Sequence, residues 1–411
     1  MTRGAVGTIR LATALVLLSS AAAWSGPAAI HSEKRVIEDD VTHLPMTFLT
    51  TAPSNDAKIY QTHPQWLADG SRIIFRSNDR APDKTPQIFA VRESDGAISQ
   101  LTRGAGVHIG SINLSRRKNE IFYLREGDDH RLRMMALTVA ADLETGAVPI
   151  ERAVAVFPEG FRDSDGFALD ADEAVAYIGV RLDNAPTPQA AAAQKVTGAV
   201  WAVDLASGAT RLVVTTPFRV GHVEANPWVP GEIMYCHETG GDAPQRMWIV
   251  KADGTGNRPL YVETPTEWIT HETFVDRDHV MFNIMGHRDD LRRHPTGIAV
   301  INLRSDRVEL LGQLPEGGGF WHSSGTPDGR LAVADDFAGE IYLIDRSNGE
   351  RVLLSTGHVM KPDHAHPNFS PDGTRILIQS GRLTAGKSLD LATVPVPARF
   401  LARTKTSSPA P

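Results

Sequence analysis

Two histidines separated by a single residue, His364 and His366, are the clearest candidate metal ligands in this sequence. On an extended strand, side chains at positions i and i+2 leave the same face of the backbone, so both imidazoles can reach one cation. The run Phe369-Ser370-Pro371-Asp372-Gly373 follows directly. Asp-Gly is typical of a tight turn, because glycine accepts positive φ and aspartate bonds to its own backbone. The sequence therefore predicts a metal-binding pair at the start of a β-hairpin.

This hairpin is one of seven similar units along the chain. In each unit a turn with Asp or Gly lies between two apolar strands, at residues 66–75, 114–124, 169–178, 228–235, 274–282, 326–333 and 369–378. Most units continue into a second hairpin, which gives four strands per unit and a period of roughly 45 to 60 residues, typical of propeller blades. The sequence therefore predicts an all-β fold, a seven-bladed β-propeller in one domain over residues 46–400. The last unit lacks an outer strand, and residues 46–50 are predicted to supply it and close the ring.

Six histidines lie just before or within the predicted innermost strand of their units, and each precedes its turn by a similar short distance: His63, His222, His271, His322, His364 and His366. Equivalent positions in successive blades converge on the central axis, so we expect these side chains to meet at one end of the channel. A single histidine at a strand start is more often a structural residue. Several in register favour a shared site.

Composition and termini limit the possible functions. A net charge of −7 gives no support to a nucleic-acid partner. The single cysteine, Cys236, excludes an intramolecular disulfide, and we expect no cysteine-based zinc site. Basic residues, the apolar run 11–18 and small residues up to Ala23 predict a cleavable secretory signal at residues 1–23, and hence a periplasmic or secreted protein. We expect a linker at 24–45, a disordered tail at 401–411 and no membrane span. The sequence carries no signal of the oligomeric state.

Five segments resemble the oligogalacturonate lyases, a pectin-degrading family of seven-bladed propellers. The matching segments occur in the family's order: Tyr235-Cys236-His237-Glu238, Arg246-Met247-Trp248-Ile249, Thr270-His271-Glu272, Trp321-His322-Ser323 and His364-Ala365-His366-Pro367. The resemblance implies a fold and an activity, cleavage of 4-linked uronate oligosaccharides. It implies that His271 is the general base and Arg246 its assistant. It also implies that a divalent ion, manganese in the family, is bound by His322, His364 and His366.

One position departs from the family pattern. The family has a glutamine as its fourth metal ligand where this chain has Lys361, and a protonated lysine has no lone pair to offer. Three outcomes stay open: three protein ligands with additional water, replacement of the glutamine by Asp363 or His358, or loss of metal binding. If Lys361 points into the channel mouth, it can bind a uronate carboxylate directly. We also expect substrate contacts from three further residues, His222, His237 and His63.

The chemistry suits these residue types. A base removes the proton on C5 of the uronate, next to the carboxylate, and O4 departs as a double bond forms. A divalent cation offsets the negative charge that builds up on the carboxylate. The guanidinium of Arg246 would disfavour the imidazolium form of His271 and so keep the base neutral. The competing interpretation is a non-catalytic, TolB-like periplasmic propeller that binds protein partners, which has no need of histidines in register.

Overall fold

The computed structural model describes residues 30–140, 143, 148–185, 187, 197–241, 243–265, 267–285, 297–313 and 319–401. The predicted signal at 1–23 and almost all of the predicted tail lie outside the described residues. No helix in the described ranges combines the length and the apolar character that crossing a membrane requires.

The described strands form seven antiparallel sheets arranged as propeller blades. The chain begins with β1 (Arg35–Glu38) and β2 (Pro45–Phe48), which belong to the last blade. The first blade contains β3 (Asp56–Lys58), β4 (Ile73–Ser77), β5 (Gln87–Val91) and β6 (Ile98–Gln100). The second contains β7 (Val107–Leu114), β8 (Glu120–Glu126), β9 (Leu132–Thr138) and β10 (Ile150–Val156). The third contains β11 (Asp163–Leu169), β12 (Val175–Arg181), β13 (Gly198–Asp204) and β14 (Thr210–Thr216).

The remaining blades follow the same order from the inner to the outer strand. The fourth contains β15 (Val220–Ala225), β16 (Glu232–His237), β17 (Met247–Lys251) and β18 (Arg258–Pro259). The fifth contains β19 (Trp268–Asp276), β20 (His279–Met285), β21 (Gly297–Asn302) and β22 (Val308–Gln313). The sixth contains β23 (Phe320–Gly325), β24 (Leu331–Asp336), β25 (Ile341–Asp345) and β26 (Glu350–Ser355). The seventh contains β27 (Asn368–Phe369), β28 (Arg375–Ser380), β29 (Asp390–Pro395), β2 and β1, and a short helix, Ala398–Leu401, follows β29. The all-β, seven-bladed prediction is confirmed.

The turn chemistry expected from the sequence is present in the last blade. The amide of Gly373 donates to the carbonyl of Ser370 at 2.8 Å, and Gly373 has φ +67°. The carboxylate of Asp372 accepts hydrogen bonds from the Ser370 hydroxyl at 2.6 Å and from the Thr374 amide at 3.1 Å. Glycine at positive φ and aspartate bonded to nearby backbone together fix the hairpin.

The core lies between neighbouring blades. Ile376, Leu377 and Ile378 on β28 are all fully buried, although successive side chains of a strand point to opposite faces. Both faces of a central strand are covered, one by each adjacent blade. The second strands of the blades therefore contain three apolar residues in succession. In a sheet with one solvated face, apolar and polar residues would alternate instead.

An N-terminal strand closes the ring, as the sequence predicts. In β2, Thr47 pairs with Thr393 and Phe48 with Ala392, both on β29, and the side chain of Phe48 is fully buried. The linker prediction for residues 24–45 is wrong for residues 35–38, because they form β1 and pair with β2. Its polar sequence suggested a linker because β1 is the outermost strand, and Val36 on it is 60% exposed.

Candidate active site and metal centre

Bulges in the innermost strands direct side chains toward the channel. Pairing of β11 with β12 shifts register around Asp165, pairing of β15 with β16 shifts around His222, and pairing of β19 with β20 shifts around His271. These three residues adopt left-handed backbone conformations, with φ of 62°, 44° and 55°. A bulge bends its strand and re-aims a side chain, and left-handed non-glycine residues concentrate at functional sites. Three successive blades thus present a polar side chain at an equivalent position.

Four of the predicted histidines form one cluster. The ring centroid of His322 lies 3.8 Å from that of His366, 4.2 Å from that of His271 and 5.3 Å from that of His364. Trp321 packs between two of them, 5.0 Å from His271 and 5.1 Å from His364. The four imidazoles therefore come from three blades and meet at one end of the channel.

A buried carboxylate, Asp335, orients two of these imidazoles. It lies on β24, is fully buried, and accepts hydrogen bonds from the amide of His322 at 2.7 Å and from Nδ1 of the same residue at 3.1 Å. It also accepts a hydrogen bond from the amide of His366 at 3.1 Å. A histidine that donates Nδ1–H to a carboxylate has its Nε2 lone pair free for a metal. Asp335 therefore fixes the ring of His322 in an orientation suited to a ligand.

The cluster fits a divalent cation. Ligand atoms of His322, Asp335 and His364 all lie within 4.8 Å of one another. Nδ1 of His364 is buried and has no hydrogen-bond partner among the described residues. Burial, together with the charges of His366 and His364, lowers the pKa of His322 well below its usual value, and burial lowers that of His364. Neutral imidazole is the form that ligates a metal.

His366 is held by two further side chains. Its Nδ1 lies 2.6 Å from Oε1 of Gln61, and its Nε2 lies 3.1 Å from Oδ1 of Asp363. Although burial raises the pKa of Asp363, hydrogen bonds from His366 and from backbone lower it below the usual range, so this carboxylate is ionised. Of the two proposed replacements for the family glutamine, Asp363 is the one that lies against the cluster.

His271 has the environment expected of a neutral base. Its Nδ1 is buried without a hydrogen-bond partner among the described residues. Burial, with the neighbouring His322 ring and the Arg246 guanidinium, lowers the pKa of His271 well below its usual value. Arg246 itself is buried, and its Nε donates to Oε2 of Glu272 at 3.1 Å. The ion pair of Arg246 with Glu272 is thus buried, next to the proposed base.

One detail of the predicted metal pair is wrong. His364 and His366 do not lie on an extended strand, because β27 begins at Asn368 and His366 has φ +48°. Lys361 is exposed. The two ring nitrogens of His358 bond to the hydroxyls of Ser380 and Ser355, each at 2.8 Å, and among the described residues its ring contacts none of the four clustered imidazoles.

The three weaker candidates lie at different places. His222 is nearest to the cluster, because Tyr60 packs 5.4 Å from its ring and 5.3 Å from that of His366. His237 stacks on Phe218 at 4.3 Å, and among the described residues its ring contacts none of the site histidines. His63 lines a cavity of about 390 Å³ near the turns that end the innermost strands.

Sequence reasoning missed several residues of this centre. Tyr60 and Gln61 follow β3, in a blade whose histidine lies elsewhere. Lys58 on β3 is also buried, and burial lowers its pKa well below the usual value. Asp335 lies near the end of an ordinary apolar strand, β24. The sequence does contain a signal for Asp335. It is an aspartate near the end of the second strand of the sixth blade, and that strand lies beside the innermost strand, which carries His322.

The comparisons with known proteins agree with this architecture. No protein-family model matches the chain, and no curated protein matches its sequence. Two solved structures superpose on nearly all of it. An oligogalacturonate lyase in complex with manganese has a TM-score of 0.78 at 21% identity, over 92% of this chain and 100% of that one. The oligogalacturonate lyase from Vibrio parahaemolyticus has a TM-score of 0.77 at 18% identity, over 91% and 100%.

A propeller built of WD40 repeats gives a lower TM-score. The WD40 repeats of RRP9 have a TM-score of 0.52 at 11% identity, over 88% of this chain and 100% of that one. The higher TM-scores of the two lyase structures show that this chain is closer in fold to them than to the RRP9 propeller. This chain therefore has the seven-bladed fold of the oligogalacturonate lyases.

Proposed function

We propose that this protein is a polysaccharide lyase that cleaves 4-linked uronate oligosaccharides, with oligogalacturonate as substrate, by metal-assisted β-elimination. The observation that carries the proposal is the cluster of His271, His322, His364 and His366, with ring centroids 3.8–6.3 Å apart. Ordered motifs and the likeness to two oligogalacturonate lyase structures support the same assignment. A propeller that only binds protein partners would not require a buried imidazole cluster at the channel mouth.

His322, His364 and His366 would hold the divalent cation, and manganese is the proposed ion because the similar lyase structure contains it. A cation bound there would offset the negative charge that builds up on the substrate carboxylate during proton removal. Asp335 holds the His322 ring and the His366 backbone in place from behind. Asp363, ionised and 3.1 Å from Nε2 of His366, is the proposed additional oxygen ligand or orienting group.

His271 would act as the general base. It accepts the proton from C5 of the uronate, the electrons of that bond form the C4–C5 double bond, the bond from C4 to the leaving O4 breaks with its electrons on oxygen, and O4 takes a proton from water. Because burial and nearby positive charge keep its imidazole neutral, His271 is ready to accept a proton near neutral pH. Arg246 stays fully charged beside it and can also bind a substrate carboxylate.

The proposed substrate contacts lie at different distances from the four clustered imidazoles. His222 is the predicted contact nearest to the cluster, and the exposed Lys361 is proposed to bind the carboxylate of a more distant sugar. His237 and His63 remain proposed contacts that lie away from the four imidazoles. Residues 1–23 have the pattern of an export signal, so we place the protein in the periplasm or outside the cell.

The test is an assay of the unsaturated product. Purified protein is incubated with oligogalacturonate after treatment with a chelator, with and without added Mn²⁺, and ultraviolet absorbance is followed. We expect absorbance to rise with Mn²⁺ and to stay flat with the chelator alone. A 4-linked oligomer of a different uronate, run in parallel, separates the substrate class from the individual sugar. Absence of product from every uronate and metal would contradict the proposal.

A further inference from the structure

A second group of potential metal ligands lies beside the histidine cluster. Ligand atoms of His222, Cys236 and Glu238 all fall within 4.8 Å of one another. Nε2 of His222 is 3.8 Å from Oε2 of Glu238, and Sγ of Cys236 is 4.0 Å from the same oxygen. Oδ2 of Asp165, on the adjacent blade, is 3.3 Å from Nε2 of His222. One thiol, one imidazole and one carboxylate thus face a common point, and the carboxylate of Asp165 contacts the imidazole from the adjacent blade.

The backbone is shaped to bring these groups together. Gly221 on β15 pairs with Cys236 on β16. A Cβ at Gly221 would lie 3.2 Å from Sγ of Cys236 and 2.9 Å from Cβ of Glu238, so the absence of a side chain leaves room for both. The bulge that follows turns His222 back toward the same space. Glu238 is oriented as well, because the Gly240 amide donates to its Oε1 at 2.5 Å and leaves Oε2 facing the group.

The donor set differs in kind from the first cluster. Thiolate, imidazole and carboxylate are the ligands of tetrahedral zinc, and thiolate favours zinc over the harder manganese ion. A single cysteine excludes a site made of several thiolates, but here His222 and Glu238 supply the other ligands. The ring of Tyr60 lies between the groups, 5.4 Å from His222 and 6.5 Å from His322. The ring of Tyr60 therefore separates the two groups of potential ligands.

We propose that His222, Cys236 and Glu238 bind a second, thiophilic divalent cation such as zinc, with Asp165 as the fourth ligand. This site is independent of the proposed lyase activity. It gives His222 the role of a ligand, and any effect of His222 on substrate then passes through the cation. Arg246, whose charge interacts with Cys236 and Glu238, neutralises part of the negative charge that thiolate and two carboxylates would bring.

Binding of a cation at this site releases the proton of the Cys236 thiol. Burial raises the pKa of the Cys236 thiol well above its usual value, so without a cation the sulfur is protonated. Binding of the cation replaces that proton with a metal–sulfur bond and releases the proton to solvent. No oxidant or reductant takes part.

Cobalt(II) spectroscopy tests the proposal directly, because Cys236 is the only cysteine in the chain. The metal-free full chain is titrated with Co²⁺, and thiolate-to-cobalt charge-transfer absorption in the near ultraviolet is recorded. Nitrogen and oxygen ligands alone do not produce this band. We expect one equivalent of Co²⁺ to generate it and Zn²⁺ to remove it by displacement. A wild-type protein that lacks the band at saturating Co²⁺ would overturn the proposal.

Three variants complete the test. Cys236→Ser should lose the band, whereas His364→Ala, which alters only the first cluster, should keep it. The side chain of Glu238 is one-quarter exposed, and the residue lies outside the strands, so Glu238→Gln should retain the fold. This variant should weaken Co²⁺ binding at least tenfold. Far-ultraviolet circular dichroism checks that each variant is folded. A band that persists in Cys236→Ser, or an unchanged affinity in Glu238→Gln, would contradict the assignment.

Discussion

Nε of Arg246 donates to Oε2 of Glu272 at 3.1 Å, and both side chains are buried. Glu272 directly follows His271 on β19, so this ion pair ties the strand that carries the proposed base to the neighbouring blade. Although burial raises the pKa of Glu272, the nearby guanidinium lowers it below the usual value, so both partners are charged. The pair therefore holds the base and its assistant in one arrangement.

Glu272→Ala should destabilise the protein strongly. It leaves a buried guanidinium without its carboxylate, a change that typically costs about 3–5 kcal/mol. The matched control is Asp306→Asn, which removes the charge of an exposed pair with Arg258 at a left-handed position that asparagine tolerates, and should cost less than about 1 kcal/mol. Urea unfolding of both variants measures the difference. Equal decreases in the free energy of unfolding for the two variants would show that the buried pair stabilises the protein no more than the exposed pair does.

Asp335→Asn should weaken metal binding with little change in size or packing. The carboxylate accepts hydrogen bonds from His322 and His366, and loss of such an orienting group typically reduces metal affinity about 10- to 100-fold. Asp336→Asn, one residue further along β24, serves as control, because that carboxylate bonds to the following turn. Mn²⁺ affinity is measured by electron paramagnetic resonance of the free ion. An unchanged affinity in Asp335→Asn would contradict the role given to this carboxylate.

The repeat pattern was sufficient to predict the fold and the meeting of four of the six histidines in register, but not how these four meet or that His63 stands apart from them. Register along the chain showed that His271 and His322 occupy equivalent positions in adjacent blades. The bulges and left-handed conformations that aim His222 and His271 had no sequence signal, because only glycine marks such positions reliably. The chain after Lys361 was expected to be extended, whereas the structure has an irregular segment before β27. Lys58 and Asp335 belong to the centre through tertiary contacts alone, which local patterns cannot reveal.

Phe48→Ala should weaken ring closure. Phe48 is fully buried on β2, the strand that completes the last blade, and removal of a buried phenylalanine ring typically costs about 3–5 kcal/mol. Val36→Ala on β1, where the side chain is 60% exposed, should change stability by less than about 0.5 kcal/mol. Urea unfolding midpoints provide the comparison. If the Phe48 variant matched wild type, closure by β2 would contribute little to stability.

Asp390 should make the protein less stable as pH rises. Burial, with the nearby Asp56 and Glu33 carboxylates, raises the pKa of Asp390 to about 7. Between pH of about 4 and 7 the unfolded chain ionises this group while the folded protein keeps its proton, so stability from this residue is present at low pH and lost as pH rises. Asp390→Asn removes this titration and should gain up to about 4 kcal/mol over wild type by pH 8.

The comparison needs stability curves over the whole pH range. Urea unfolding of wild type and Asp390→Asn is measured from pH 4 to pH 8, with the exposed Asp128→Asn as control. The gap between wild type and Asp390→Asn should widen with pH, while the Asp128 variant follows wild type. Parallel curves for all three proteins would refute the effect of Asp390.

The central claim is that His271 acts as the base beside a cation held by separate histidines. The most direct measurement combines Mn²⁺ binding and product absorbance in the same samples of wild type and His271→Ala. The account predicts that the variant binds Mn²⁺ within a few-fold of wild type while its rate on oligogalacturonate falls about 10²- to 10⁴-fold. A His271→Ala protein that binds Mn²⁺ and still forms unsaturated product at the wild-type rate would contradict it.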